Sequence, residues 1–356
     1  MPTIRDVARA SRVSVATVSR VFNDHSRVSE TTRERVVAAA NRLGYWPNGT
    51  ARSLITNRTH ALGVLLPDLH GEFFSEVIRG IDLAARQQRL HLMVSSFTAS
   101  PEDLTSVLRA VRGRIDGLIV MTPDVDASEA LRQGAGAIPT VLLNPEVQVV
   151  GCDSISIANF EGAHAMVRHL VSLGHRRIAT VTGPPGNIDA HQRLEGYRGA
   201  LRDSGIDTDP VLEAHGNFTE SSGYEAATLL LKQRPRPTAV FVANDHMAVG
   251  VLGALQDASI KVPGDLAVAA FDDIPLARFL TPPLTTVHVD MLALGQRAVQ
   301  LLTGPRPIQG PRREVLPTTL VIRASCGSAP PSKAASRTRW ERRHAVPPPA
   351  RGGFNT

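Results

Sequence analysis

Side chains able to bind a small molecule follow the short apolar runs of this sequence. Amides and carboxylates accept hydrogen bonds from hydroxyl groups, arginine donates them, and an aromatic ring packs on the apolar face of a polyhydroxylated molecule. The side chains of these types that come after an apolar run, or near the start of the helix that follows it, are Asp68, Phe73, Phe74, Asn144, Arg193, Asn244, Asp245 and Asp272. Together they indicate a site for a polyhydroxylated ligand.

The elements that must position these side chains alternate between strands and helices from Ala61 onward. The predicted strands are ALGVLL, LHLMVSS, DGLIVM, IPTVLLN, RRIATVTG, TAVFVAN and LAVAAFD, and the predicted helices are FFSEVIRGIDLAARQQ, PEDLTSVLRAVR, EGAHAMVRHLVSLG, QRLEGYRGALRDSG and YEAATLLLKQ. This alternation is typical of parallel sheets covered by helices on both faces. It predicts an α/β fold with two doubly wound subdomains and a cleft between them. Ligands of such sheets lie beyond the carboxyl ends of the strands, where the residues named above occur.

The first residues have a different pattern, TIRDVARASRVSVATVSRVFN over 3–23. Thr3 and Asp6 predict a capping box for a helix over 4–10, and Ser14 can cap a second helix over 15–22. A third helical pattern, ETTRERVVAAANRL, ends at Gly44. Three short helices with a small shared core match a helix-turn-helix unit, whose second helix lies in the DNA major groove.

The distribution of charge supports a polyanionic partner for this head. Residues 1–59 carry ten arginines and no lysine against four acidic residues, whereas residues 60–328 carry 23 basic and 28 acidic residues. Residues 329–356 carry six basic residues and one acidic residue. A basic head on an acidic body indicates contact with a nucleic acid, although a solvated charged surface would have the same composition.

Residues 3–54 resemble the DNA-binding head of the lactose-repressor and galactose-repressor (LacI/GalR) family of bacterial transcription factors. The resemblance is carried by TIRDVA, VSVATVSRVFN, VSETTRERV and LGYWPNGTARSL. It implies that Val15 and Ala16 read bases and that Arg20 contacts a base or a phosphate. The positions that it implies for phosphate contacts are Thr3, Ser14, Thr17, Ser19 and Asn23. Because Val15 and Ala16 offer only apolar contact, much of the sequence specificity must come from elsewhere.

The segment PNGTARSLI, residues 47–55, is too short to form a stable helix alone in water, since it also contains Gly49. The family resemblance implies a hinge helix that folds on DNA and pairs with its dimer mate in the minor groove. It places Leu54 as the wedge in a base step and Ala51 and Arg52 at groove-facing positions. Apolar wedges of this kind unstack and bend DNA.

The body resembles the effector domain of the same family, a two-lobed, periplasmic-binding-protein-like unit. The motifs GHRRIA, QRLEGY, VFVANDHMAVG and LTPPLTTV occur here in order. The effector contacts implied by the resemblance are Phe73, Asn144, Arg193, Phe218, Asn244 and Asp272, and Asp245 is expected to hold backbone at the start of its helix. Two departures from the family pattern, Ala158-Asn159 and PPGNID, leave the effector open and weaken a purine interpretation relative to a sugar one.

Other classes of function have little support in the sequence. TGPPGNID lacks the Lys-Ser/Thr end of a phosphate-binding loop, no GxSxG occurs, and the histidines lack metal-ligand spacing, so we expect no enzyme, cofactor or metal. Cys152 and Cys326 suit a reducing cytoplasm, and we read neither a signal peptide nor a membrane span. The Pro-, Ala- and Arg-rich end of the chain is expected to be a disordered tail.

The sequence therefore predicts a cytoplasmic repressor that binds a pseudo-palindromic double-stranded DNA operator as a homodimer. It also predicts that this repressor responds to a small-molecule effector, most simply a sugar. The expected parts are a head (1–46), a hinge and linker (47–59), an effector-binding and dimerisation body (60–324) and the tail (325–356). Two alternatives stay open: a purine- or nucleoside-responsive corepressor system, and a sugar-binding protein without DNA regulation.

Overall fold

A computed structural model describes residues 2–22, 28–46, 58–98, 100–124, 126–136, 138–305 and 310–327. The described chain contains a small helical head and a body of two parallel-sheet lobes. Within these ranges, no helix combines the length and the apolar character needed to cross a membrane.

The head contains three helices, α1 (Ile4–Ser11), α2 (Val15–Phe22) and α3 (Glu30–Leu43). All three confirm the predicted positions, and α3 ends at Gly44, whose φ of 64° is a left-handed conformation that suits glycine. Their shared core is small because each helix contributes only a narrow apolar face. Its fully buried or nearly buried side chains are Val7, Ala8, Val18, Val21, Val36, Ala39 and Ala40.

The first lobe begins with β1 (Ala61–Leu66), α4 (Glu72–Gln87), β2 (His91–Ser96), α5 (Pro101–Val111), β3 (Gly117–Met121), α6 (Ser128–Gly134), β4 (Thr140–Leu143) and β5 (Asp153–Ile157). The second lobe continues with α7 (Asn159–Ser172), β6 (Ile178–Thr182), α8 (Ile188–Asp203), β7 (Glu213–His215), α9 (Glu220–Leu230), β8 (Ala239–Val242), α10 (Asp245–Asp257), β9 (Ala267–Asp272) and β10 (Thr285–His288). The chain then forms α11 (Met291–Thr303), β11 (Arg313–Leu316) and β12 (Thr319–Val321).

The two lobes are not consecutive halves of the chain. The first sheet has the strand order β11-β5-β4-β3-β1-β2, and the second has the order β12-β10-β9-β8-β6-β7. Helix α11 packs on α4 and on the first sheet, so the chain returns to the first lobe after β10 and crosses back again before β12. The lobes are therefore joined by three crossings, at residues 158, 289–290 and 317–318.

Parallel pairing places the carboxyl ends of the strands at one edge of each sheet. In the first lobe β1 pairs with β3, with Val64 opposite Ile119, and in the second β8 pairs with β9, with Val240 opposite Val268. All four of these residues are buried, as expected for strands covered on both faces. The fold therefore confirms the doubly wound architecture expected from the sequence.

The body extends slightly beyond its expected end at residue 324. Ser325 and Cys326 are buried, and the Ser325 hydroxyl donates to the Val268 carbonyl oxygen at 2.6 Å and accepts from the Thr285 N–H at 2.8 Å. A short 3-10 turn, Ala324–Cys326, thus packs on β9 and β10 and includes the first two residues of the expected tail. The rest of the expected tail lies outside the described residues.

Candidate functional site

The outward face of α2 carries the residues expected to read DNA bases. Val18 and Val21 are buried in the head core, and this orientation turns Val15, Ala16 and Arg20 towards solvent. Val15 is 42% exposed and lies outside the head core. An exposed valine beside an alanine leaves space for a close approach of the helix to a groove.

Side-chain hydrogen bonds hold the first turns of α1 and α2. The Asp6 carboxylate accepts from the Thr3 N–H at 2.9 Å and from the Thr3 hydroxyl at 2.7 Å. The Ser14 Oγ atom accepts from the Thr17 N–H at 3.1 Å, as its predicted capping role requires. Thr3 and Ser14 remain exposed, and Ser19 is partly exposed, so all three lie where a phosphate backbone can reach them.

The other expected DNA contacts lie outside the described residues, namely Asn23, Ala51, Arg52 and Leu54. The structure does describe the point at which the hinge and linker segment, residues 47–59, joins the body. Asp116 accepts from the Thr59 N–H and hydroxyl at 2.6 and 2.8 Å, and from the His60 N–H at 2.8 Å. One carboxylate thus fixes the point at which the linker joins the first lobe.

The candidate effector site is a cavity of about 280 Å³ between the carboxyl ends of the two sheets. The expected contacts that line it are Phe73, Arg193, Phe218, Asn244 and Asp272. The sixth expected contact, Asn144, does not line it. Phe74, whose ring meets that of Phe73 edge-on with centroids 5.4 Å apart, also lies in the wall.

Arg193 is the centre of the polar network in the cavity wall. Its Nε–H donates to Asn159 Oδ1 at 2.9 Å, and its Nη1 donates to the Ala243 carbonyl oxygen at 2.6 Å. The guanidinium carbon lies 3.9 Å from the centroid of the Phe271 ring, and the whole side chain is buried. These contacts hold the guanidinium in one orientation before any ligand is bound, which is favourable for affinity.

Asp272 ends β9 and lies 3.1 Å from Arg193, measured from Oδ1 to Nη1. This ion pair lacks hydrogen-bond alignment, so Asp272 Oδ1 accepts no hydrogen bond from the residues that the structure describes. Burial raises the pKa of Asp272 to about 6, against the opposing attraction of Arg193. The carboxylate therefore has an unused acceptor for a hydroxyl or amine donor.

Asn144 acts behind the wall rather than in it. Its Nδ2 donates to Asp189 Oδ2 at 3.0 Å, and Asn159 Nδ2 donates to Asp189 Oδ1 at 2.7 Å. The Asn144 φ of 44° is a left-handed conformation that asparagine tolerates better than most residues, and it turns the side chain across the cleft. Asn144 thus joins the first lobe to the Asp189 carboxylate of the second lobe, and Asp189 lines the cavity.

Asn244 both lines the cavity and caps a helix. Its Oδ1 accepts from the Met247 N–H at 2.9 Å as the cap of α10, and its Nδ2 donates to the Phe218 carbonyl oxygen at 3.1 Å. Phe218 has a φ of 71°, which is rare for a bulky residue and marks backbone strain at the site. Asn244 therefore holds Phe218 in position over the cavity.

Asp245 differs in detail from the expected role of holding backbone at the start of its own helix. Its Oδ2 accepts from the Ile274 N–H at 2.9 Å, and its Oδ1 accepts from the Thr286 hydroxyl at 2.7 Å. The backbone that it holds is the loop after β9, because Asn244 already caps α10. Burial and the nearby Asp272 raise the pKa of Asp245 well above its usual range.

Several hydrogen bonds connect the two lobes around the cavity. His246 Nε2 accepts from the Glu72 N–H at 3.2 Å, while His246 Nδ1 lies 2.7 Å from Glu220 Oε1. The Glu72 carboxylate accepts from the Leu276 N–H at 2.9 Å. The lobes are thus in contact at the mouth of the cavity.

Seven polar residues of the wall were not expected from the sequence, namely His70, Asp124, Asn187, Asp189, Asn217, Thr219 and His246. Asn187 caps α8 by accepting from the Ala190 N–H at 2.9 Å, and its Nδ2 donates to Asp124. Asp124 follows β3, so the strand-end rule could have found it. Asp189 is in the first turn of a helix, where an acidic residue ordinarily indicates only a favourable interaction with the helix dipole.

Comparison with known proteins gives two matching family models. Residues 3–48 match the model described as "Bacterial regulatory proteins, lacI family", and residues 167–326 match the "Periplasmic binding protein-like domain". The first match covers the helical head, and the second covers most of the second lobe with the end of the body.

Similar proteins of known description match most of the chain. The ribose operon repressor of Escherichia coli (strain K12) is 37% identical over 304 residues, which are 85% of this chain and 92% of that protein. The transcriptional repressor PurR of Haemophilus influenzae (strain PittEE) is 34% identical over 306 residues, 85% of this chain and 90% of that one. A Lac repressor dimer bound to operator and an anti-inducer superposes with a TM-score of 0.81 at 33% identity, covering 91% of this chain and 99% of that chain.

Proposed function

Because the chain belongs to the lacI family of bacterial regulatory proteins, we propose that it is a sequence-specific transcriptional repressor whose operator affinity is modulated by a sugar in the inter-lobe cavity. The observation that carries this function is the presence, in one chain, of a helix-turn-helix head and a cavity lined by hydrogen-bonding side chains and aromatic rings. A sugar presents hydroxyl donors to the hydrogen-bonding side chains of the cavity and an apolar ring face to its aromatic rings.

We assign each proposed function to a consecutive segment of the chain. Residues 1–46 bind DNA, residues 47–59 form the hinge and linker, and residues 60–324 bind the effector and dimerise. In the head, Val15 and Ala16 lie against base edges and Arg20 against a base or phosphate, whereas the proposed phosphate contacts are Thr3, Ser14, Thr17, Ser19 and Asn23. In the hinge, Leu54 unstacks a base step, with Ala51 and Arg52 facing the groove.

The protein acts as a homodimer on a pseudo-palindromic operator. One head has a small recognition surface, and two heads related by a two-fold axis read two half-sites of the same sequence. The similarity to the Lac repressor dimer on its operator supports this arrangement. The relatives are repressors, so we propose neither catalysis nor a cofactor, and we place the protein in the cytoplasm with the DNA that it binds.

Effector binding acts on DNA binding through the orientation of the lobes. The hydrogen bonds that Glu72 makes with His246 and Leu276, and the one from Asn144 to Asp189, cross between the lobes at the edge of the cavity. A ligand that contacts both lobes therefore changes the stability of this closed arrangement. A difference in effector affinity between two lobe orientations is sufficient for allosteric coupling.

A purine corepressor is the second candidate, because PurR is similar over most of the chain. Fluorescence anisotropy of the full chain with a pool of labelled palindromic duplexes, repeated with monosaccharides and nucleobases, distinguishes the candidates. Selective binding that a sugar releases is the expected result, whereas tighter binding with a nucleobase would establish the second candidate. Absence of selective duplex binding under every condition would refute a regulatory role and leave a sugar-binding protein.

A further inference from the structure

The cavity wall contains an excess of negative charge. Among the described residues that line it are four carboxylates, those of Asp68, Asp124, Asp189 and Asp272, and a single guanidinium, that of Arg193. Arg193 is committed to Asp272, at 3.1 Å, and to the acceptors on Asn159 and Ala243. The other three carboxylates therefore have no further arginine or lysine among the described lining residues to balance their charge.

Asp124 and Asp189 both line the cavity where the lobes meet, and their charges repel each other. The Ile188 N–H at the start of α8 donates to the Pro123 carbonyl oxygen at 2.8 Å, and Asn187 Nδ2 donates to Asp124. This joins the loop after β3 to the first turn of α8, which contains Asp189. Within the described ranges, neither carboxylate has a cationic nitrogen within 4.0 Å.

Neutral groups compensate this pair only in part. Asp189 accepts from the amides of Asn144 and Asn159, and the amino end of α8 supplies a partial positive charge. Burial nevertheless raises the pKa of Asp124, and burial raises the pKa of Asp189 against the opposing charge of Arg193, with the charge of Asp124 adding to the rise. Half-buried carboxylates whose pKa values are raised in this way are stabilised by a cation or by further hydrogen-bond donors.

An unsatisfied acceptor in the same wall also indicates a ligand. Asp272 Oδ1 is buried, belongs to a residue that lines the cavity, and accepts no hydrogen bond from the described residues, although Arg193 Nη1 lies 3.1 Å away. Because buried polar atoms are nearly always paired, this acceptor indicates a hydrogen-bond donor on the ligand.

Resting on the proposed function, we propose that the effector is an amino sugar or a similarly aminated polyol, whose ammonium group lies between Asp124 and Asp189. Its hydroxyl groups donate to Asp272, and the rings of Phe73 and Phe218 cover its apolar face. The same charge distribution excludes sugars that carry a phosphate or a carboxylate, since Arg193 is already engaged.

The test is isothermal titration calorimetry of the full-length protein with matched sets of sugars. The sets are D-glucose, D-glucosamine and D-glucose 6-phosphate; D-galactose, D-galactosamine and D-galactose 6-phosphate; and D-ribose, 2-amino-2-deoxy-D-ribose and D-ribose 5-phosphate. In at least one set the amino sugar should bind about tenfold or more tightly than its parent, because charge-assisted hydrogen bonds replace neutral ones. The phosphate should bind most weakly.

Two variants assign the preference to the acidic pair. Asp124→Asn keeps an oxygen that can accept from Asn187 but removes the charge, and it should abolish the preference for the amino sugar over its parent. Asp207→Asn makes the same change of charge on the exposed surface outside the cavity, and it should keep the preference. Operator binding by both variants verifies that they are folded.

The outcomes separate this proposal from the proposed function. A parent sugar that binds and releases the operator as well as its amino form does, or a preference that persists in Asp124→Asn, would overturn the aminated effector while leaving a sugar-responsive repressor. If no sugar in any form binds or alters operator binding, both proposals fail.

Discussion

Replacing Asp272 with asparagine should make the ligand-free protein more stable at alkaline pH. The carboxylate is only 3% exposed, and its Oδ1 accepts no hydrogen bond from the described residues. Burial raises its pKa to about 6 from 3.8, even though Arg193 and His246 favour the charged form. Asparagine has nearly the same shape and stays uncharged at every pH, so it imitates the protonated aspartic acid.

The magnitude follows from the linkage between protonation and folding. Because the folded-state pKa lies above the unfolded one, the folded protein binds more protons between about pH 4 and pH 6, and its stability falls as pH rises through that range. Above pH 6 the charged carboxylate destabilises the fold by about 3 kcal/mol. Asp272→Asn should therefore gain about 3 kcal/mol at pH 8 and about half of that at pH 5.

Thermal unfolding of the ligand-free full chain, followed by circular dichroism between pH 5 and pH 8, measures this gain. At pH 8 the variant should unfold roughly 5 °C above the wild type, and the difference should shrink as the pH is lowered. Asp207→Asn, the same change of charge at an exposed site, should show no such dependence on pH. Equal or lower stability of Asp272→Asn at pH 8 would refute the assigned burial cost.

Four further substitutions test the head, the hinge and the cavity. Arg20→Ala should weaken operator binding and lower the slope of log affinity against log salt by about 1 if it contacts a phosphate; an unchanged slope would favour a base contact. Leu54→Ala should reduce operator affinity and DNA bending, measured by gel mobility of phased duplexes, with effector binding kept; equal bending would contradict the wedge. Arg193→Ala removes the cation beside Asp272 and should lower the free energy of unfolding in urea by about 3–5 kcal/mol, with loss of the effector response; a retained response would exclude Arg193 from the site. His246→Ala removes the hydrogen bond from the Glu72 N–H that joins the lobes and should increase the radius of gyration in small-angle scattering; an unchanged value would show that other contacts hold the lobes together.

Local patterns were sufficient for the head and for the strand ends. The caps at Thr3 and Ser14 and the stop at Gly44 depend on residues within one helical turn, so the three helix positions could be read directly from the sequence. Asp272 and Asn244 were found because parallel strands bring their carboxyl ends to one edge.

For Asn144 and Asp189, patterns in the sequence did not predict the direction of the side chain. Both occupy positions that strand-end and helix-start patterns describe correctly, but the patterns do not say whether a side chain turns into the cavity or across to the other lobe. The left-handed backbone at Asn144 and its hydrogen bond to Asp189, 45 residues later, decided that question.

The sequence by itself determined the helical head, the two parallel-sheet lobes, the chemical character of the cavity wall and the resemblance that indicated a repressor. Only the tertiary structure decided that the chain crosses between the lobes three times, that α11 and β11 belong to the first lobe, and that Asp124 accepts from Asn187 at the cleft. The physical reason is that secondary structure and capping depend on neighbours in sequence, whereas sheet order, burial and the pairing of charges depend on residues far apart in the chain.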